Sequence, residues 1–423
     1  MRHPVAIAAL TLIAACSRDK SQNANPGSSE VSKLPPAYAS PEQSRAESLY
    51  FAGEYDSALS IWRHALATDS IRKDSAAQAH ILMWLGMRQW RLGNYDSART
   101  IAQQSLDLKL RLGRKGELSR SYNSLGLIAR DEGRLIEART LFNKAMQTAR
   151  AVGDTAGINR GAINLALVLQ DLGELNEAQK GFETARDAGK ALGDARLEGN
   201  ALNNLAALLI KMGDPAGAIP LLHQAADRYK SIEYNTGIQN SMGQLATAYD
   251  VLGEPQRAFA LLDTASRMAQ EQGLKQEQEN NLRLFGELYQ VAGDHQRALE
   301  FLGRARALSG ELGLDGESGI ILRAEARSQL AAGRSDLALG RMEEALRIHR
   351  GQKAMFEEMS DLITLSELAD NVQAKAYISE ALAIAAKINT PSARVDAALG
   401  KARFAQRIGD QRETINAVKR ARS

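Results

Sequence analysis

From residue 41 to the C-terminus, apolar residues recur every three or four positions, and glycine interrupts them at regular intervals. The stretch NALNNLAALLIKMG at 200–213 shows the pattern leading into such a glycine, and DLGELNEAQKGFETARDAG at 171–189 shows it resuming after one. A period near 3.6 predicts amphipathic helices. Gly53, Gly93, Gly133, Gly173, Gly213, Gly253, Gly293 and Gly333 are evenly spaced, each forty positions after the last. Alanine follows each glycine by five positions, from Ala58 and Ala98 to Ala338, and recurs seven further on, with Ser105 filling the one gap. Each glycine is expected to be left-handed and to close the first helix of a pair. The Asp, Asn or Glu that often follows favours the start of the next helix. Alanines seven apart share one face of the second helix, and their small size lets the two helices of a hairpin approach closely. One hairpin cannot bury its own apolar stripe, so hairpins stack into a solenoid. The expected fold is all-α, an alpha-alpha superhelix of about ten helical hairpins over residues 41–423.

The ruler slips once. ELADNVQAKAYISEALAIAA aligns Ala369 with the glycine position and Ala374 and Ala381 with the two alanines, a step of 36 residues, about one helical turn short, near 350–374. The phase returns at Gly409, with Ala421 at the second-helix alanine position and a C-terminal cap rich in Arg and Lys. The slip reads either as a repaired deletion or as a functional kink.

Residues 1–40 follow another pattern. Arg2 and His3 precede an apolar run, Val5 to Ala15, and then Cys16. Eleven residues are too few to span a bilayer, which takes about 20, but they suit the core of a secretory signal. Residues 17–40 are rich in Ser, Asn and Pro and bury too little apolar area to fold. Fully extended, such a linker reaches about 80 Å.

Composition narrows the chemistry. Cys16 is the only cysteine, so no internal disulfide supports the fold. The 53 basic and 50 acidic side chains nearly balance, which gives no basic surface for nucleic acid. After residue 16 the histidines are His64, His80, His223, His295 and His349, too dispersed in sequence for a metal motif. No nucleophile motif or phosphate loop is present. The chain is therefore read as a non-enzyme with no catalytic residues, metal or cofactor.

The repeat positions resemble the tetratricopeptide repeat family. Leu85, Gly86, Gly93 and Ala98 match its pattern, and Leu125, Gly126, Gly133, Ala138, Phe142 and Ala145 match it more fully. Ala166, Ala206, Ala246 and Ala326 replace the first glycine, Gly286 keeps it, and Tyr249 and Tyr289 occupy the aromatic position of the first helix. The usual proline is missing, and a forty-residue unit exceeds the family's usual length of about 34. Both departures resemble the longer repeats of kinesin light chains and of some bacterial signalling regulators. The resemblance implies a concave face lined by first helices that contact a ligand. Mapped onto this chain, those positions are Asn123, Arg160, Asn164, Asn200, Asn203, Asn204, Lys211, Asn240, Gln244, Thr247, Asn280, Arg283 and Glu287. In kinesin light chains such asparagines hold the backbone of an extended peptide. An amide can donate and accept at once, which suits main-chain recognition. Asparagine on a helix can equally bond a neighbouring hairpin or face water, and both readings stay open here.

Ile13-Ala14-Ala15-Cys16 resembles the lipobox of bacterial lipoproteins. It implies a signal peptide at 1–15, lipid on Cys16, a linker over 16–40 and a solenoid over 41–423. Ser17 resembles outer-membrane sorting. The alternatives are a plain secretory signal, or simply a hydrophobic N-terminus. Together the two resemblances imply a protein lipid-anchored in the bacterial cell envelope, at the outer membrane and facing the periplasm. It would bind a protein or peptide partner there as a scaffold or adapter. The alternatives are a regulatory sensor that binds a peptide, for whose signalling module residues 1–40 leave no space, and a glycan-binding or enzymatic solenoid.

Overall fold

A computed structural model describes residues 41–51, 55–68, 71 and 73–422. The expected signal peptide, Cys16 and linker, and Gly53, lie outside the described residues. Within these residues the chain forms twenty α-helices and no strand. None is long and apolar enough to cross a membrane.

The chain divides into two compact units that meet between Leu165 and Ala166. The described part of the smaller unit holds α1 (Pro41–Phe51), α2 (Tyr55–Ala67), α3 (Ser75–Arg91), α4 (Tyr95–Arg111), α5 (Lys115–Asp131) and α6 (Leu135–Ala151). Helix α7 (Thr155–Asp171) crosses the boundary. The larger unit continues with α8 (Leu175–Leu192), α9 (Ala195–Lys211), α10 (Pro215–Lys230), α11 (Asn235–Val251), α12 (Pro255–Glu271), α13 (Lys275–Val291) and α14 (His295–Glu311). It ends with α15 (Asp315–Ala331), α16 (Ser335–Gln352), α17 (Met355–Leu368), α18 (Asn371–Ile388), α19 (Pro391–Arg407) and α20 (Gln411–Arg422). In each unit successive helices pack side by side as antiparallel hairpins. The TPR-type superhelix of about ten hairpins is what the sequence predicts.

The glycine ruler closes the first helices as expected. The ruler glycines from Gly93 to Gly333 all have positive φ. At the first of these turns the Asn94 N–H reaches back to the Gln89 carbonyl at 2.9 Å, a Schellman-type closure. The residue after the glycine caps the next helix by side chain only where it is aspartate: Asp214 bonds Gly217 N and Asp294 bonds Arg297 N. Asn94, Glu174 and Glu254 make no such bond.

A second ladder, shifted by half a repeat, closes the second helices. Gly113, Gly153, Gly193, Gly273 and Gly313 are left-handed, and Glu233 and Lys353 adopt the same geometry at φ 54° and 58° without being glycine. A side chain there costs roughly 1–2 kcal/mol. The structural period is thus half the spacing of the ruler glycines: one helix and one three-residue turn, repeated.

The alanines do what their size predicts. Ala98, Ala138, Ala178, Ala218, Ala258, Ala298 and Ala338 are fully buried. Opposite Ala98, a Cβ built on Gly86 would lie 3.3 Å from Ala98 O and from Ala102 N, so the two backbones are nearly in contact. The cap departs from expectation: Ala421 is only half-buried, while Ala417 is 1% exposed. Helix α20 packs against α19, and the buried alanine lies one turn earlier than the repeat spacing places it.

The slip has a definite place. Helix α17 has 14 residues where the other first helices from α3 onward have 17, so the lost turn comes from its C-terminal end. Ala369 does not take over the glycine's role. It is extended (φ −75°, ψ 165°), and Asp370 then caps α18 by accepting from Val372 N and Gln373 N. Without a residue suited to positive φ, the chain leaves the helix early and restarts on an aspartate cap.

One buried charge offers a check of the smaller unit. Lys109 is 1% exposed, and its Nζ donates to Ser121 Oγ at 3.1 Å and lies 3.9 Å from Glu117. Burial pulls its pKa down to about 8, with Glu117 opposing the drop. The unfolded chain would hold this proton up to about pH 10.5. Keeping the amine charged in the fold therefore costs on the order of 3 kcal/mol below pH 8, and that cost vanishes as pH rises to about 10.5. Lys109→Met is expected to be the more stable protein at pH 7. Urea titrations across pH 7–10.5 should show wild type gaining on the variant; a gap independent of pH would contradict the assignment.

Candidate functional site

First helices of neighbouring hairpins approach one another more closely than second helices do, in α3 with α5, and in α9 with α11, α11 with α13, α13 with α15 and α17 with α19. The first-helix row is therefore the inner, concave side within each unit. It carries every residue proposed from the sequence.

In the smaller unit, Asn164 Nδ2 donates to Asn123 Oδ1 at 2.8 Å, and both side chains are buried. The pair joins α5 to α7. Arg160 is half-buried nearby in sequence, one turn before Asn164.

The larger unit divides its amides into two kinds. Some are bound to the protein. Ser241 Oγ donates to Asn203 Oδ1 at 2.9 Å, which ties α11 to α9. Tyr229 Oη donates to Asn200 Oδ1, and Asn204 Nδ2 donates to the Asn200 carbonyl, both at 2.8 Å. Thr247 Oγ1 is turned back onto the Gly243 carbonyl at 3.1 Å. Gln244 is different. It is 8% exposed, and neither its Oε1 nor its Nε2 finds a partner among the described residues. Asn240, one turn earlier on the same face, is buried to a similar degree.

Beyond the amides the row becomes charged. Arg283 donates to Asn280 Oδ1 at 2.6 Å and to Glu287 Oε1 at 2.7 Å. Asp250 faces Glu287, and burial together with that like charge pushes its carboxyl up to about 6. Arg323 Nη1 donates to Ser360 Oγ at 2.5 Å, Nη2 pairs with Glu357, and Nε lies 3.4 Å from Asp361 Oδ1. Asp361 also holds His349 Nδ1 at 2.5 Å, with both side chains essentially inaccessible. This bridge sits at the short step, where α15 and α17 approach less closely than other successive first helices of the unit. Long charged side chains span the wider gap. Lys211 is half-buried and its charge reaches Asp396 on α19. Among the described residues no three His, Cys, Asp or Glu side chains gather as a metal site.

Profiles of the tetratricopeptide repeat match residues 79–104, 118–152, 156–231 and 197–271. Those segments, within residues 79–271, carry tetratricopeptide repeats. No curated protein matches it. Solved structures similar to this TPR solenoid include a Rap protein complexed with competence and sporulation factor, at TM-score 0.53 and 11% identity, over 82% of this chain and 97% of that one. Another is aspartyl phosphate phosphatase F from Bacillus subtilis, at TM-score 0.52 and 12% identity, over 82% and 95%. A third is the Rap conjugation gene regulator of plasmid pLS20 in complex with the Phr* peptide, at TM-score 0.54 and 13% identity, over 82% and 97%. At these identities the likeness is one of fold.

The sequence reading of the TPR row missed Asp250, Arg323, Arg327, Glu357 and Asp361. The repeat register could have found the arginines, because Arg323 lies one full repeat after Arg283 and Arg327 one full repeat after Glu287. Asp361 keeps the register too, one full repeat after Ile321 and two after Asn281, but that position was not among those mapped from the family.

Proposed function

We propose that the first-helix groove of the larger unit binds an extended peptide or unstructured protein segment, and that the protein works as a peptide-responsive adapter or sensor. The supporting observation is Gln244. A desolvated amide with no partner in the protein is costly to keep, and a peptide main chain would satisfy its donor and its acceptor together. Asn240, one turn earlier on α11, and Asn280, on α13, would extend the row. The sensor form is favoured over a static scaffold because two of the similar solenoids are complexes, one with the Phr* peptide and one with competence and sporulation factor.

Gln244→Leu tests this directly. A pool of random octapeptides without acidic residues and with amidated C-termini is passed over the immobilised full chain. Wild type should retain it, and the variant should retain roughly tenfold less, the equivalent of one or two lost hydrogen bonds. The variant should melt no earlier than wild type, since it removes an unpaired buried amide. Equal retention by both proteins would overturn the reading. Asn164 and Asn203 are poor probes because their loss would break contacts between hairpins.

We also propose that Cys16 carries lipid and holds the solenoid in the cell envelope, so that the groove meets its partner at a membrane. The support is the Ile13-Ala14-Ala15-Cys16 sequence behind its apolar run. Cys16→Ser should move the protein from the detergent phase to the aqueous phase on partitioning; a variant still partitioning as an integral species would remove the lipid from the proposal.

A further inference from the structure

The hairpin of α19 and α20 departs from the charge balance of the chain. From position 391 to 423 there are eight basic against three acidic side chains, while all 423 residues together carry a net charge of only +3. Part of this charge is engaged within the protein. Lys401 pairs with Glu413 at 2.5 Å, and Arg403 with Glu367 at 2.6 Å. Arg407 donates to the Glu367 carbonyl at 3.1 Å and lies over the Phe404 ring. Asp410 accepts from the Glu413 N–H at 2.9 Å, at the start of α20. Arg412 and Lys419 are exposed, and neither forms an ion pair among the described residues.

Arg412, Ile415 and Lys419 stand three and four residues apart, so they share one face of α20. Ala417, on the opposite face, is buried. Ile415 is 55% exposed, and Ile408, in the turn that leads into α20, is 46% exposed. At the register of Ile415 the earlier second helices carry Ile219, Phe259, Leu299 and Leu339, all half-buried. The outer face of α20 therefore presents aliphatic side chains to solvent between cations. An anionic bilayer takes both kinds of group: its headgroup phosphates attract the cations, and the acyl boundary receives the isoleucines. A second copy of the chain fits poorly, because a two-fold contact would set this face against itself, cation against cation. An acidic soluble polymer would satisfy the cations and leave the isoleucines in water.

We propose that the exposed face of α20, with Ile408 beside it, docks the larger unit on an anionic lipid surface. The inference goes beyond the peptide groove. It holds whether or not Cys16 carries lipid, since the face belongs to the solenoid. Where Cys16 is lipidated, the face supplies a second membrane contact and sets which end of the unit lies against the bilayer.

Cosedimentation with vesicles tests it. The full chain carries Cys16→Ser in every arm, so no acyl chain contributes and residues 1–40 stay constant. The probes are vesicles of phosphatidylcholine alone and of an equimolar mixture with phosphatidylglycerol. The chain should bind the anionic vesicles at least about tenfold more tightly, and the excess should fade as added salt shortens the screening length. Arg412→Gln combined with Lys419→Gln should lose most of that excess, and Ile415→Ser should weaken binding to the anionic vesicles several-fold. Lys180→Gln combined with Lys190→Gln, at exposed positions of α8, removes the same charge elsewhere and should bind as its parent does. Circular dichroism and the thermal transition confirm that each variant folds. Equal binding to both vesicles, an excess that survives Arg412→Gln with Lys419→Gln, or the same loss in the α8 variant overturns the docking face. Retention of poly-glutamate without retention of anionic vesicles would mark an acidic protein as the partner, and a dimer that Ile415→Ser dissociates would mark a second copy; either overturns the lipid surface. Lipid on Cys16 is read separately, by the detergent partitioning of the unmodified sequence, so the two proposals fail independently.

Discussion

Asp361→Ala is expected to destabilise the larger unit by about 3–5 kcal/mol, the usual effect of removing one partner from a buried charge network. Asp361 is fully inaccessible, holds His349 Nδ1 at 2.5 Å, and lies 3.4 Å from Arg323 Nε. Its loss strands two partners. His349 cannot turn away to find another: a Cβ on Gly319 would overlap its ring, and its Nε2 is already buried without a partner. The damage should concentrate where the helix is a turn short, since there the first helices approach least and the charged bridge joins them. Repeat arrays need not unfold as one unit, so hydrogen exchange is the right readout. Amides of α15, α16 and α17 should lose protection, while those of α8 to α10 should lose little. Wild-type protection in α15–α17 would show that packing alone holds the step.

Gly189→Ala should cost about 1–3 kcal/mol, the range for forcing extra volume into a packed interior. The added Cβ would lie 2.6 Å from Glu198 N and 2.9 Å from Glu198 Cα, on α9. These are backbone atoms, so no side chain can swing aside, and the two helices would have to separate. Gly340→Ala is the control. It has open space within 4 Å, and is expected to gain about 0.5–1 kcal/mol because alanine is the better helix former. Thermal unfolding of the pair should therefore shift in opposite directions. A stabilised Gly189→Ala protein would mean that α8 and α9 do not pack at this spacing.

Gly189 belongs to a series that counting along the chain leaves opaque. The equivalent positions are Lys109, Ala149, Gly189, Tyr229, Ala269, Ser309 and His349, all buried. Their sizes differ widely, and the following or preceding first helix compensates. Tyr229 fits because Gly199 and Gly237 face its ring, each leaving room where a Cβ would come within 2.6 Å. His349 fits because of Gly319. Lys109 keeps its charge through Ser121 and Glu117. Each junction is thus matched individually, on a backbone that repeats.

The same division runs through the candidate site. The periodic glycines and alanines were enough to predict the hairpin, its closure and its close approach, because those depend on local φ and on the size of one residue. The residues of the first-helix row were legible as well, since helical spacing places them on a shared face. Whether an amide on that face is spent or available was not legible. Asn203 and Gln244 have similar chemistry and the same type of position, yet one holds Ser241 and the other finds no partner in the protein. That difference depends on what the neighbouring first helix, one repeat away, presents opposite. The sequence alone therefore determined an all-α solenoid, its repeat and the place where the repeat slips. Only the tertiary structure decided which polar groups hold the hairpins together and which are left for a ligand, because a hydrogen bond needs both partners brought within about 3 Å and helical periodicity carries no record of that distance.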